Sequence, residues 1–486
     1  MIKRLLLVML VTLGILLLAL AGNTLRQRSQ QVVAARATPI AVNAAQAAQH
    51  LAGALRFRTI ASADDSAHHL DQFLQLHDYL QQTYPHLHAV TNREVIGQTS
   101  LLFRWQGSDP AARPVLWMAH QDVVPIAAGT EADWQVPPFD GVVRDGYVWG
   151  RGAWDNKGNL IAMLEALERL AIDGFRPRQT IYVVSGADEE VGGQRGAAAI
   201  AALLQTRGVQ PDYVLDEGLL ITQGMMAGLH QPAALIGIAE KGYATFHLQL
   251  RGAPGHSSMP PPTTLIGDMA AALTRLERQP LPARVSGVAQ QMLSTLAPEM
   301  SLTNRVLLSN LWLTAPLVGS QLQKQPSTNA MLRSTAAVTI IAGGNKDNVL
   351  PGVVDATVNF RLLPGDTQAT VLAHLQRALG NHAIQITAAP GNSEAAPIAD
   401  TAAPGYQRLQ RTVRALFTDT LVAPGLMIGA TDARFFVPLT GNVYRFSPVR
   451  AGPTDLARFH GTNERIAVTN LVEMIQFYHL LLQQAG

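Results

Sequence analysis

Residues 44–238 alternate helix-length stretches, apolar along one face, with short, almost uniformly apolar runs. This is the pattern of an α/β sheet covered by helices. Residues 101–105, 114–119, 180–185 and 213–215 read as strands, and residues 158–171 as the helix between two of them. Each apolar run ends on polar residues, and open α/β sheets gather ligands outside the carboxyl ends of their strands. A second unit starts near Lys241, where residues 243–250 alternate in polarity as a strand and residues 264–277 follow as a helix. Residues 336–341, 353–362 and 383–388 read as further strands, with a helix over 367–379. Two helices on a small, largely antiparallel sheet predict an α+β insert. Residues 281–335, rich in Leu, Met, Ser and Pro, are weakly patterned and predict no definite element. After Gly391-Asn392-Ser393 the chain reads as helix, strand and helix, the last over 468–482.

The extreme N-terminus departs from this picture. Lys3 and Arg4 precede an apolar stretch over residues 5–21 that is long enough to span a bilayer, while Ala19-Leu20-Ala21 also reads as a cleavage site. Membrane anchor and signal segment both fit, with the anchor preferred. Arg26, Arg28 and Arg36 on the far side leave the orientation open. Either reading places the rest of the chain outside the cytoplasm, membrane-anchored or, if cleaved, secreted or periplasmic.

At 486 residues the chain exceeds one hydrophobic core, so two folded units are expected. A formal net charge of +2, with no basic face or run, argues against nucleic acid as a partner. The absence of cysteine excludes disulfides, thiolate ligands and cysteine nucleophiles, so any metal must sit on His, Asp and Glu.

Such residues recur at the ends of the predicted strands. His120 and Asp122 follow an apolar run and lie two residues apart, so in extended chain they point the same way. A ligating imidazole commonly gives its other N–H to a carboxylate, which suits His120 with Asp122 behind it; a polar strand end with a local hydrogen bond is the plainer reading. Gly150 to Gly158 forms a glycine-punctuated loop opening onto a helix, and Asp155 within it can offer its two oxygens to two cations. A phosphate loop does not fit, because Lys157 is followed by Gly158 rather than Ser or Thr. Asp188-Glu189-Glu190 crowds three acids together, either as a solvated loop or as a pair dividing metal binding from proton transfer. Asp216-Glu217 ends a fourth strand, and His460 precedes the last helix. The His68-His69 pair, His86 and His88 lack comparable acidic context and read as surface or packing residues.

Taken together these segments resemble the di-zinc aminoacylase and carboxypeptidase metallopeptidases, metallopeptidase family twenty, over nearly everything after residue 45. Gly429-Ala430-Thr431-Asp432-Ala433-Arg434-Phe435-Phe436 and His460-Gly461-Thr462-Asn463-Glu464 look closest to the carboxypeptidase S branch, which includes N-fatty-acyl-amino-acid synthase/hydrolases. The resemblance implies an α/β catalytic domain with a central mixed sheet flanked by helices (45–240 and 396–486), interrupted by a smaller α+β lid or dimerisation domain (241–395), after an anchor or signal segment and stalk (1–44). It implies two Zn2+ per subunit, with Co2+ or Mn2+ as alternatives: Asp155 bridges, His120 and Asp216 complete one site, and Glu190 and His460 the other. Asp122 supports His120, and Glu189 is the general base. In the lid, His256 within the Arg251 to Ser258 segment would help hold the developing oxyanion, in some relatives across a dimer interface. Asn348 and Arg361 resemble substrate contacts, and Arg434 is the favoured anchor for a substrate carboxylate. The implied reaction is hydrolysis, or reversible formation, of the amide bond of an N-acyl amino acid or peptide with a free carboxylate. Residues 281–316 are expected to accommodate an apolar acyl group. A general carboxypeptidase or dipeptidase and a non-catalytic membrane-tethered binding protein are the alternatives.

Overall fold

A computed structural model describes residues 1–380 and 382–484. Its largest element is an eight-stranded mixed sheet built from β1 (Asn92–Ile96), β2 (Ser100–Trp105), β3 (Val115–Met118), β4 (Ile181–Ser185), β5 (Tyr213–Thr222), β6 (Ala233–Glu240), β7 (Leu421–Met427) and β8 (Val443–Ala451). Their spatial order is β1-β2-β4-β3-β5-β8-β6-β7. The central β4-β3-β5-β8 ladders are parallel and β1 and β2 join antiparallel. β3 and β4 are buried at every position, as expected where helices cover both faces of a parallel core. Helices Ala44–Leu55, Lys157–Ile172 and Val468–Gln483 pack on one face around Trp117, Val183, Leu215 and Tyr478. Helix Ala197–Thr206 and the short 3-10 turn Asp432–Phe436 cover the other, against Leu116, Met118, Val184 and Val214.

The insert has its own sheet and core. Strands Gly242–Arg251, Thr335–Gly343, Val353–Leu362 and Gln385–Ala388 form an antiparallel four-stranded sheet. Helices Leu265–Arg278 and Gln368–Leu379 bury Met269, Leu273, Leu276, Val371 and Leu375 against Phe246, Leu248, Val358 and Phe360.

Residues 281–335, unassigned from sequence, contain helices Gly287–Leu296, Leu302–Ser309, Leu311–Leu322 and Pro326–Leu332. These are short amphipathic pieces broken at Pro298, Ser301 and Asn310, which is why no long periodicity is legible. Met292, Leu293, Leu296, Leu308 and Val318 pack against Leu421 and Ala423, so the segment covers edge strand β7 of the large sheet rather than the core of the insert.

The stretch after the N-terminal helix, expected as a stalk, is docked. Gln31 Nε2 donates to Val422 O at 2.9 Å, and Gln31 Oε1 accepts from Val422 N at 2.7 Å, so its amide imitates a neighbouring strand along β7. Ala37 N donates to Ala415 O (3.0 Å), and Gln476 Nε2 donates to Ile40 O (3.0 Å). At about 1 kcal/mol for each such bond, a chain starting at residue 41 should melt about 5 °C or more below one starting at residue 23. Equal melting temperatures of the two truncations by calorimetry would show that the strap contributes nothing.

Candidate metal centre

The acidic and imidazole groups converge where β3, β4 and β5 end. His120 follows β3, and its Nδ1 lies 3.0 Å from Asp122 O and 3.3 Å from Asp122 Oδ1. The same buried Asp122 carboxylate accepts the backbone N–H groups of Glu189 (3.2 Å) and Glu190 (3.0 Å). One side chain therefore orients an imidazole and pins the turn carrying both glutamates.

The Gly150–Gly158 loop is held from beneath by Glu464. Its buried carboxylate accepts from Trp154 N (2.8 Å), Asp155 N (3.0 Å) and Arg151 Nη1 (2.6 Å), while Arg151 Nη2 donates to His460 O at 3.1 Å. Asp155 is thereby fixed between two rings, with His120 Nε2 2.9 Å from Oδ1 and His460 Nε2 2.7 Å from Oδ2. The Asp155–Asn156 peptide is cis. His460 stacks on Phe459 and lies 3.3 Å from Glu190 Oε1. Lys157 points the other way, donating to Ala54 O and Phe57 O; burial pulls its amine down to about 7, so no phosphate-binding lysine faces the site.

The fourth strand differs from the sequence-based expectation. Asp216, expected as a ligand, is turned under the sheet, where Oδ1 accepts from Glu217 N (2.9 Å) and Oδ2 from Ala433 N (2.8 Å). Glu217 takes the place in the cluster, with Oε1 3.2 Å from His120 Nε2 and Oε2 hydrogen-bonded by Asn156 Nδ2. Neighbours on a strand face opposite ways, and the β5–β8 ladder breaks its register between Asp216 and Leu219, where Gly218 has φ +139°. That bulge carries Glu217 over the sheet edge.

Donor atoms of His120, Asp155 and Glu190 lie within 4.8 Å of one another, as do those of His120, Glu189 and Glu217. Burial pushes the Glu189 carboxyl well above its ordinary range, with the negative charges of Asp432, Glu217 and Glu190 adding to it. Burial likewise raises Glu217, reinforced by Asp155. Hydrogen bonds to Asp155 and Glu190 push His460 up to about 10. Burial works against His120, yet the charge of Glu217 and hydrogen bonds to Asp122 and Asp155 hold it well above an ordinary imidazole. Carboxylates crowded this closely are relieved either by protonation of some of them or by positive charge among them. Two imidazoles and oxygen donors without thiolate form a set that divalent zinc, cobalt or manganese accepts.

The centre opens into a cavity of about 940 Å³ lined by Glu189, Glu190, Glu217, Tyr243, Arg361 and Arg434, with Leu220, Met427, Phe435, Val437 and Phe459 as apolar wall. Arg434 is tied to Thr431 O (2.7 Å) and Gly192 O (2.8 Å). The Arg361 guanidinium lies over the Tyr243 ring at 4.8 Å and has no hydrogen-bond or ion-pair partner among the described residues. His256 and Asn348 are outside this cavity, exposed, with Ser257 N bonded to Asn348 O at 3.1 Å. No part of residues 281–316, expected to hold an acyl group, lines it either.

Glu217, Asn156, Arg151 and Glu464 have no role assigned from the sequence. The last three lie in segments that the sequence singles out, but their contacts join residues 61 to 313 positions apart, which leaves their partners without a local signal.

Acids packed this closely call for a cation, and a glutamate left over beside them calls for a water to activate, so the class is that of a metal-dependent hydrolase. The chain belongs to Peptidase family M20/M25/M40, whose family model matches residues 116–484. The human N-fatty-acyl-amino acid synthase/hydrolase PM20D1 is 40% identical over 441 residues, covering 90% of this chain and 87% of that protein. Carboxypeptidase S of Saccharomyces cerevisiae is 31% identical over 484 residues, covering 89% and 82%. Among solved structures, the M20 family metallo-carboxypeptidase Sso-CP2 from Sulfolobus solfataricus superposes with a TM-score of 0.66 at 19% identity, covering 90% of this chain and 99% of that one. The fold likeness agrees with the expected central mixed sheet flanked by helices.

Proposed function

We propose that the chain is a two-zinc amidohydrolase that cleaves, and in reverse forms, the amide bond between an acyl group and an amino acid or peptide with a free carboxylate. The observation that carries this is Asp155, whose two oxygens each face a different imidazole. His120 and Glu217 would hold one ion, His460 and Glu190 the other, with Asp155 shared. Bound there, the ions would supply Lewis acidity and lower the pKa of the attacking water. Glu189, outside the Asp155 ion pairs, takes the proton of the attacking water and delivers it to the leaving amine nitrogen. Asp122 is a positioning residue that fixes both His120 and the backbone of Glu189.

Arg361 is the better anchor for the substrate carboxylate, because its fork is uncommitted whereas that of Arg434 is tied to two carbonyls. A hydrogen bond to a charged group contributes about 1.5–3 kcal/mol, so Arg361→Ala should raise KM roughly 10- to 100-fold with kcat nearly unchanged. An unchanged KM in steady-state assays would move the anchor to Arg434.

Met427, Leu220, Phe435 and Val437 supply the apolar wall for an acyl chain. Higher kcat/KM for N-oleoyl-phenylalanine than for benzyloxycarbonyl-glycyl-leucine supports the acyl-amino-acid reading; the reverse order makes the enzyme a peptide carboxypeptidase. His256 and Asn348 would reach a reacting carbonyl only through closure of the insert or from a second subunit paired through it. Helix Ile2–Arg26 is read as a retained anchor holding the catalytic unit outside the cytoplasm.

A further inference from the structure

Helix Ile2–Arg26 runs out from the body of the protein: its most apolar 18-residue window has none of its residues buried, whereas Thr24 is buried. The junction is built on Asn310, a fully buried residue between helices Leu302–Ser309 and Leu311–Leu322. Asn310 Nδ2 donates to Leu20 O (3.3 Å) and Thr24 Oγ1 (3.2 Å), and Asn23 Nδ2 donates to Asn310 Oδ1 (3.2 Å). Arg305 Nη2 donates to Thr24 O and Gln27 O at 3.4 and 3.0 Å. From Gln27 onward the chain is docked on the large sheet and its covering helices, so no slack separates the helix from the body.

Beside this junction lies an uncovered apolar face. Trp312 Nε1 donates to the same Asn310 Oδ1 at 3.3 Å, which fixes the indole next to the point where the N-terminal helix leaves. Trp312, Leu313, Pro316, Leu317 and Ser320 share one exposed side of helix Leu311–Leu322, while Val318 faces inward. Trp312 is 61% exposed, Leu317 60% and Leu313 44%. The apolar stretch over residues 5–21 spans about 26 Å as helix, close to the roughly 30 Å of a hydrocarbon core. Its inner end therefore coincides with Leu20, the residue Asn310 holds, and the Trp312 face falls at the level where lipid tails meet headgroups. An indole with an apolar body and a polar N–H is favoured at that level. Exposed Arg26, Arg28 and Lys324 flank it as cations for phosphate groups.

We propose that the face of helix Leu311–Leu322 bearing Trp312, Leu313 and Leu317 is a membrane-seating surface, inserted into the interface of the bilayer that helix Ile2–Arg26 crosses. The proposal rests on the retained-anchor reading. The catalytic unit is then held in one orientation by two elements, instead of swinging from a tether.

Because the chain has no cysteine, single labels report cleanly. The full-length protein carrying Leu317→Cys, Val11→Cys or Asp347→Cys, each labelled with an environment-sensitive fluorophore, is reconstituted into phosphatidylcholine and phosphatidylglycerol vesicles. Wild-type hydrolysis rates establish that each variant is folded. Labels at Leu317 and Val11 should be quenched by lipids bearing a nitroxide and spared by aqueous iodide, and the Asp347 label should behave oppositely. Iodide quenching at Leu317 equal to that at Asp347, with Val11 still in lipid, overturns the seating surface and leaves the anchor intact. Iodide quenching at Val11 overturns the anchor reading and the proposal with it. Protection of Leu317 from both quenchers shows that a second copy or another protein covers the face, and also overturns the proposal.

Discussion

Glu189→Gln should lower kcat about 10³-fold, within the range general-base catalysis contributes, while leaving metal content and melting temperature close to wild type. The amide keeps the shape of the side chain and the backbone N–H bond from Glu189 to Asp122. It cannot accept the proton of the attacking water. Because Glu189 stands outside the ion pairs around Asp155, the loss should fall on turnover rather than on the metal centre. Burial beside other acids already disfavours a charge at this position, so neutralising it carries little structural cost. A variant that turns over at wild-type rate would remove Glu189 from the mechanism; one that fails and also loses its ions would make it a ligand.

Glu217→Gln and Asp216→Asn should separate sharply, although the residues are adjacent. Loss of a group that merely supports a ligand costs 10- to 100-fold in affinity or activity. Removing the Glu217 carboxylate beside His120 should therefore cost about 100-fold or more in kcat/KM, together with one equivalent of metal. Among the described residues, the Asp216 carboxylate accepts only from the backbone N–H groups of Glu217 and Ala433. Asp216→Asn should keep both ions and most activity, and lose about 1–3 kcal/mol of stability through an imperfectly satisfied buried site. Metal retained by the Glu217 variant and lost by the Asp216 variant would restore the sequence-based assignment.

That pair also marks how far the sequence could be read. The strands leading to His120 and Glu190 are short, uniformly apolar and bounded by polar residues, so their ends and the acids on them were legible. Alternation along a strand sends two adjacent acids to opposite faces. Which one meets the cluster depends on the Asp432–Phe436 turn closing over one face and on the bulge at Gly218, and neither leaves a local signal. Residues 281–335 were illegible for a related reason: their short helices are defined by packing on β7, a strand far along the chain. Arg361 was legible as a candidate, but its advantage over Arg434 lies in what Arg434 touches. The Arg151–Glu464 pair that supports Asp155 joins segments 313 residues apart and is visible only in three dimensions.

Whether two ions share one bridging carboxylate is decided by elemental analysis of the full-length protein after dialysis against trace zinc, alongside Asp155→Asn. Two equivalents of metal per chain are expected for the wild type, and loss of both metal and activity in the variant. A single equivalent in fully active protein, or two equivalents retained by Asp155→Asn, would contradict that bridge.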